Sequence, residues 1–327
     1  MTLAANHDGL LLDLDGTVWS GGVAIEHAVE AINASGLPAM YVTNNASRSA
    51  KDVAEMLRAI DLDAAEEDVL TSAMAAVTMA ERYLEKGDAV YVVGAPSLRQ
   101  LVQDADYRIV DSADDAPKVV LHGHNPDTGW RQLSEAALSL QRGAKYLATN
   151  LDTSLPMERG FMVGNGSMVA AVTSATGVVP EAAGKPEPAM FTQAANSCGM
   201  RKPLAVGDRL DTDIAGGVAA CMPALHVLTG VSGPHALLQA PPEHRPTYIA
   251  ADMRGLSEPT EALAPGAQEG FAARIDGSAI VLTGGDPGAS SLAALRTALD
   301  VAWQQPEPPA EVRAESDAAE AALAEWW

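Results

Sequence analysis

The sequence predicts an α/β protein: parallel sheets covered by helices, followed by a small α+β appendage. Three observations carry this. Short apolar runs alternate with helical segments from residue 9 to about residue 228, the pattern of strand–helix–strand units that build parallel sheets. From about residue 262 the pattern changes to a hairpin followed by helices. The length of 327 residues favours two domains, or one domain with a large insertion.

Gly9–Leu14 (Gly-Leu-Leu-Leu-Asp-Leu) is too short for a helix and is bounded by turn residues, so it reads as a buried strand. Ala28–Ser35 is helical, with Gly36 and Pro38 as stop signals. Ala39–Thr43 is the next strand, Ala50–Ala59 a helix, Asp68–Leu70 a short strand and Ser72–Lys86 a helix. Strands follow at Ala89–Gly94, Lys118–His122 and Lys145–Ala148, separated by helices Ser97–Gln103 and Trp130–Gln141. Helices Ser167–Ala175 and Pro188–Ser197 precede a strand at Pro203–Val206, a helix at Asp213–Ala220 and a strand at Ala224–Leu228.

In the tail, Phe271–Ile275 and Ser278–Leu282 flank Asp276-Gly277, a hairpin with a two-residue turn. Ser290–Gln304 is a helix with Leu292, Leu295, Leu299 and Trp303 on one face. Pro306, Pro308 and Pro309 break the chain before a last helix, Asp317–Trp327, with Asp317 as its cap. The tail is expected to fold separately. Trp303, Trp326 and Trp327 either seal it against the core or form a homodimer contact.

Composition excludes several function classes. The 21 Lys and Arg against 43 Asp and Glu leave a net charge of −22. A nucleic-acid binder needs a basic surface to neutralise phosphates, and docking on anionic lipid needs one too. The tail from residue 262 carries three Arg and ten acids, so it is the more acidic part per residue. Two cysteines, Cys198 and Cys221, build no disulfide framework and point to a reducing compartment. No signal peptide and no long apolar run is present, so no membrane association and a cytoplasmic location are expected.

Four short motifs carry the chemistry. Asp13-Leu14-Asp15-Gly16-Thr17 follows the first strand, at the carboxyl edge where parallel sheets gather ligands. Residues i and i+2 of a strand face the same way. Two acids so placed repel unless a cation lies between them or one is protonated, which suits a nucleophile beside a general acid. A calcium loop fails, because Val18 and Ala24 stand where Gly and Glu are required. Thr43-Asn44-Asn45 ends the second strand, where a hydroxyl and backbone N–H groups suit a phosphate oxygen. Gly184-Lys185-Pro186 fixes one of only six lysines, and it is not a phosphate loop, since Val179 and Pro186 replace the required Gly and Ser/Thr. Gly207-Asp208 through Asp213 places two acids beyond the strand Pro203–Val206, hard oxygen donors that suit Mg²⁺. Each motif alone has an ordinary alternative: a turn, a helix cap, a solvated lysine, or acids offsetting a helix dipole. Their common placement at strand ends is the stronger observation.

Together these motifs resemble the haloacid dehalogenase-like hydrolase superfamily over roughly residues 8–255. Leu12 through Trp19, with Asn44-Asn45 and a large segment between the second and third motifs, is similar to its class IIA phosphatases. Ala148-Thr149-Asn150-Leu151-Asp152, Glu158-Arg159-Gly160, Gly164 through Val169 and the tail resemble the actinobacterial glycerol-3-phosphate phosphatases. The resemblance implies a Rossmann-like parallel-sheet core (residues 1–73 and 182–261), an inserted α/β cap (74–181) and a C-terminal appendage (262–327). It also implies that Asp13 attacks phosphorus and that Asp15 serves as general acid, then base. Mg²⁺ would be held by Asp13, the Asp15 carbonyl and Asp208, with Asp213 as ligand or behind the ligands. Thr43, Asn44 and Lys185 would stabilise the phosphoryl oxygens, with Asn45 beside them. The second Asp favours phosphatase over dehalogenase.

The expected activity is hydrolysis of a small phosphorylated metabolite, glycerol 3-phosphate first; the alternatives are a phosphoglycolate or sugar-phosphate phosphatase and a metabolite-binding regulator. Asp152, Arg159 and Asn165 are candidate substrate contacts by position. His122-x-His124 lacks a third ligand of matching spacing for a metal, and Gly164-x-Gly166 is no dinucleotide fingerprint, since Val169 replaces its last Gly.

Overall fold

The structure, a computed structural model, describes residues 1–157, 159–309 and 311–326. Met1–Met40 and Ala195–Trp327 form one compact unit, and Tyr41–Ala194 forms a second.

The first unit is built on parallel strands Gly9–Leu12, Pro203–Gly207, Ala224–Val227 and Tyr248–Ala250. Gly9 to Leu12 pair with Pro203 to Val206, and Ala205 to Gly207 with Ala224 to His226. Leu225 to Val227 pair in turn with Tyr248 to Ala250. Leu10, Leu11, Leu12, Leu204 and Leu225 are fully buried. That explains the continuous apolar runs: both faces of these strands are covered, so no polar alternation is needed. The strand Tyr248–Ala250 is an addition to the sequence reading.

Two elements near the site differ from expectation. The first strand ends at Leu12, so Asp13 and Asp15 lie beyond it and strand alternation does not align them. The helix expected at Asp213–Ala220 starts instead with a π-type turn, Leu210–Ile214, followed by Ala215–Ala219. The amides of Asp213 and Ile214 both donate to Arg209 O, at 3.1 Å each, which widens the first turn.

The appendage belongs to this same compact unit, contrary to the expected separate folding. Arg296, buried in the helix Ser291–Ala302, donates from Nε and Nη2 to Ile249 O in the core sheet, at 3.0 and 2.5 Å. Trp303 Nε1 donates to Leu237 O (3.0 Å), and the Arg245 guanidinium lies 5.5 Å over its ring. Trp326 is buried and donates to Ser291 O. Trp303 therefore seals the tail against the core, whereas Trp326 packs within the tail; Trp327 lies outside the described residues. The hairpin strands are Phe271–Asp276 and Ala279–Gly284. Its turn is Gly277-Ser278, one residue later than expected, because Asp276 pairs with Ala279 and Gly277 takes the left-handed φ of +62°. A third strand, Glu311–Ala314, adds parallel to the second. The last helix, Asp317–Ala324, is capped by Ser316, whose Oγ accepts from Ala319 N, so Asp317 is its first residue and not its cap.

The second unit carries a five-stranded parallel sheet. Its spatial order is Glu181–Ala182, Lys145–Ala148, Val119–His122, Ala89–Val93, Arg108–Val110. The helices Trp130–Gln141 and Asn165–Thr176 bury Ala136, Leu140, Val169 and Val172 with Tyr91, Val93, Val120 and Tyr146 of the sheet. Tyr41–Thr43 pair parallel with Val69–Thr71. The helix from Ser72 ends at Ala80, six residues before the expected Lys86. A hairpin, Ser154–Met157 with Gly160–Val163, projects exposed Phe161 and Val163. Among the described residues, no helix is long and apolar enough to cross a membrane.

Candidate active site

In the first unit, neighbouring parallel strands deliver acids to one edge. Leu12 and Val206 are paired, so Asp13 and Asp208 emerge just beyond that pair, and Asp13 N donates to Val206 O (2.9 Å). Asp213 joins them from the widened turn, where its Oδ2 accepts from Arg209 N (3.1 Å). One carboxylate oxygen of each of Asp13, Asp208 and Asp213 lies within 4.8 Å of the other two. Asp208 is fully buried and Asp213 is 2% exposed.

Glycine makes room for this cluster. A Cβ at Gly207 would overlap Asp213, and one at Gly230 would overlap the Asp208 carboxylate. Gly16 combines a φ of +97° with a Cβ position 2.5 Å from Asp208 Oδ2. Only a residue without a side chain fits both conditions.

The loop Thr229-Gly230-Val231-Ser232 is a further part of the site that the motif reading missed. Val231 N donates to Asp208 Oδ2 (2.6 Å), and Ser232 N donates to Asp208 O (3.1 Å). Thr229 Oγ1 donates to Gly16 O (2.6 Å), tying the loop to the first motif. Ser232 Oγ accepts from Leu210 N, and its carbonyl accepts from His226 Nε2 at 2.8 Å. Burial pushes the His226 pKa down to about 4, against the raising effect of that bond and of Asp213. The available signal was position: this loop leaves a strand of the same sheet at its carboxyl edge.

Three carboxylates this close, two of them buried, repel strongly unless a cation is present. The donor set is all oxygen, hard and few in number, which fits Mg²⁺. Asp15 is exposed, and its carboxylate is not in the cluster. Its backbone is held in place by an isolated bridge to Trp19, next to a Gly16 N–Trp19 O bond of 2.8 Å.

In the second unit the structure brings Asn44, Asp152 and Lys185 together. Asn44 Nδ2 donates to Lys185 O (3.0 Å) and to both Asp152 oxygens (3.2 and 3.3 Å). Asn44 Oδ1 accepts from Lys185 N (2.8 Å). Lys185 is buried, and its Nζ donates to Val42 O at 2.9 Å. A Cβ at Gly184 would stand 2.6 Å from Asn44 Oδ1, so the glycine permits this approach. Thr43 Oγ1 accepts from Asn45 N, and Asn45 Oδ1 accepts from Ser47 N and Oγ, which shapes the turn. Arg159 is exposed in the turn of the hairpin, and Glu158 lies outside the described residues. Asn165 is buried and donates to His122 O and Asn150 O, so it braces the loop. His122 is also buried, with Nδ1 2.8 Å from Tyr146 Oη and a pKa pushed down to about 4 by burial. The His122–His124 pair joins no cluster of metal-binding side chains among the described residues.

Residues 10–108 match the family model of haloacid dehalogenase-like hydrolases, and residues 182–256 match a second, HAD-hydrolase-like model. The chain is 40% identical to the D-glycerol 3-phosphate phosphatase of Mycobacterium tuberculosis, over 99% of this chain and 95% of that one. This chain belongs to the haloacid dehalogenase-like hydrolases. The two matched segments of this hydrolase contain Asp13, Asp15, Thr43, Asn44 and Asn45, then Lys185, Asp208 and Asp213. A crystal structure of the mycobacterial glycerol phosphate phosphatase in complex with magnesium superposes with a TM-score of 0.95, covering 100% of this chain and 98% of that one at 40% identity. That likeness extends through the appendage. An acid sugar phosphatase of Staphylococcus haemolyticus is 35% identical over 76% of this chain and 94% of its own. The p-nitrophenyl phosphatase from Archaeoglobus fulgidus gives a TM-score of 0.71 at 28% identity, over 79% of this chain and all of that one.

Proposed function

We propose that this hydrolase is a Mg²⁺-dependent phosphatase that converts glycerol 3-phosphate to glycerol and phosphate. The observation that carries the reading is the Asp13, Asp208 and Asp213 cluster at a strand edge. Similarity over nearly the whole chain to a D-glycerol 3-phosphate phosphatase supports it and names the substrate.

The Asp13 carboxylate attacks phosphorus, the bond to the glycerol oxygen breaks, and an aspartyl-phosphate forms on Asp13. Asp15 gives its proton to the leaving oxygen. It then takes a proton from the water that attacks the aspartyl-phosphate, which releases phosphate and restores Asp13. Asp13, Asp208 and the Asp15 carbonyl hold Mg²⁺, with Asp213 binding it directly or through water. When bound there, the cation offsets the negative charge of carboxylates and phosphate. Thr43, the backbone amide of Asn44 and Lys185 donate to the phosphoryl oxygens. The Asn44 side chain is already engaged, and Lys185 carries an ammonium of three donors, one of them given to Val42 O.

Residues 1–73 and 182–261 form the catalytic core in this reading, and 74–181 a cap that excludes water and reads the leaving group. Within the cap, Asp152 holds Asn44 and Arg159 meets the leaving group. Free Cys198 and Cys221 support a reducing, cytoplasmic location.

Likeness to the acid sugar phosphatases favours a second reading, a sugar-phosphate phosphatase. Phosphate release from glycerol 3-phosphate, phosphoglycolate and a set of sugar phosphates, with Mg²⁺ and with EDTA, tests both. Glycerol 3-phosphate is expected to have the highest kcat/KM by about tenfold or more, and EDTA to stop turnover. A higher value for a sugar phosphate moves the chain to the second reading. No release from any ester with Mg²⁺ leaves a regulator without turnover.

A further inference from the structure

Three segments of the second unit meet at Asn44. Ser72 Oγ, at the start of the helix Ser72–Ala80, donates to Asn44 O (2.7 Å). Asn150 Nδ2, two residues beyond the strand Lys145–Ala148, donates to the same oxygen (2.7 Å), and Asp152 accepts from the Asn44 side chain. Lys185, three residues beyond the strand Glu181–Ala182, exchanges two hydrogen bonds with that side chain.

The same three segments meet again at their other ends. The helix runs on into Arg82 and Tyr83, the second segment begins at Lys145, and the third begins at Glu181. All three converge on the Glu181 carboxylate. Oε2 accepts from Arg82 Nη2 (2.7 Å), and Oε1 accepts from Tyr83 Oη (2.6 Å) and from Lys145 Nζ. Arg82 and Lys145 also lie over the Tyr83 ring, 5.3 and 5.0 Å from its centroid, where the ring attracts cations. The bonds from Lys145 and Tyr83 hold the Glu181 carboxyl down to about 2, so it stays charged far below neutral pH.

By their rise per residue, Ser72–Ala80, Lys145–Asn150 and Glu181–Lys185 each span about 12–17 Å. Three segments of similar length are thus tied at both ends. The third has little else to hold it. Its strand of two residues pairs with Leu147 and Ala148, and Ala183 N adds one bond to Ala148 O (3.0 Å). A single exposed ion pair would add little, but several charges sharing one carboxylate form a network.

We propose that Glu181 is a positioning residue, which ties the far ends of these segments and so sets the placement of Asn44 and Lys185 without touching substrate. Its effect on turnover rests on the reading above, in which the Asn44 amide and Lys185 donate to the phosphoryl oxygens.

Amide NMR and steady-state kinetics on the full chain with Mg²⁺ test this. Glu181→Ala should shift the amides of Asn44 and Lys185. It should lower kcat and kcat/KM together by about tenfold, less than the roughly 100-fold of a 1 Å misplacement. Glu181→Gln keeps the side-chain length and the Tyr83 bond. It should lower both by about threefold, since a neutral hydrogen bond is about half as strong as a charged one. Lys86→Ala breaks an exposed ion pair with Asp106 in the same unit (2.7 Å) and should change neither those amides nor kcat. In a double-mutant cycle, the losses from Glu181→Ala and Asn44→Ala should not multiply, because both act on one arrangement. The proposal is overturned if the Asn44 and Lys185 amides stay in place in Glu181→Ala, if that variant turns over as fast as the parent chain, if Lys86→Ala loses as much, or if the two losses multiply. A parent chain that hydrolyses no phosphate ester would defeat the phosphatase reading instead, and the amide shifts would then decide the role of Glu181.

Discussion

In the first unit, strands Gly9–Leu12 and Pro203–Gly207 run out into Asp13 and Asp208, and the next turn adds Asp213. In the second unit, strands Ala89–Val93, Val119–His122 and Lys145–Ala148 run out into Gly94, Gly123 and Thr149. Both sheets are parallel, both are buried, and both place their loops at the carboxyl edge. One edge gathers acids around room for a cation; the other begins its loops with glycine or threonine. The architecture chooses where chemistry can occur, and the residues one or two positions beyond each strand choose which chemistry. The glycines show the same division. Gly16, Gly207 and Gly230 clear space for carboxylates, whereas the nearest neighbours of a Cβ at Gly123 would be the uncharged side chains of Leu98 (2.9 Å) and Thr149 (3.1 Å).

The largest expected effect is one in which the two sheets behave alike. Each holds one buried histidine, His226 and His122, with a pKa pushed down to about 4. Unfolded histidines take up protons near pH 6.5, while these stay neutral until about pH 4. Between those values the unfolded state binds more protons, so stability falls as pH falls. The slope is about 1.4 kcal/mol per pH unit for each histidine. Urea unfolding at steps from pH 7 to 4 measures it, and a flat profile would break the equivalence.

Gly230→Ala pushes on Asp208 and should lower kcat/KM about 100-fold, the effect of misplacing a reacting group by about 1 Å, with weaker Mg²⁺ binding by titration and an intact far-UV spectrum. Asn44→Ala removes the bonds to Lys185 and Asp152 in the second unit and should lower kcat about tenfold, the worth of a charged hydrogen bond; Mg²⁺ affinity is expected to stay unchanged. Gly123→Ala should cost about 1 kcal/mol of stability from local overpacking and leave kcat/KM unaltered. A large kinetic loss in Gly123→Ala would erase the contrast between the two edges.

Much of this was legible in the sequence, for physical reasons that also mark its limits. The helices Ala28–Ser35, Ala50–Ala59 and Trp130–Gln141 match their sequence readings to the residue, because turn residues or a change of pattern bound them. The central strands were legible as continuous apolar runs. Tyr248–Ala250 and Glu311–Ala314 were not: one has three residues, and the other alternates charge with small side chains after a proline break. Asp13, Asp208 and Asp213 were legible because acids beyond apolar strands are unusual. The hold of the Thr229–Ser232 loop on Asp208 was hidden because it runs through the backbone amides of Val231 and Ser232, which any sequence possesses. The resemblance to haloacid dehalogenase-like hydrolases supplied the roles of Asp15 and Lys185, which spacing alone left open.

The central claim is that Asp13 is the nucleophile of a phosphatase. Turnover of glycerol 3-phosphate and p-nitrophenyl phosphate by Asp13→Asn, with Mg²⁺ present and unfolding checked by urea, addresses it most directly. A loss of about 10³-fold or more with stability preserved is expected. Turnover within about tenfold of the parent chain would contradict it.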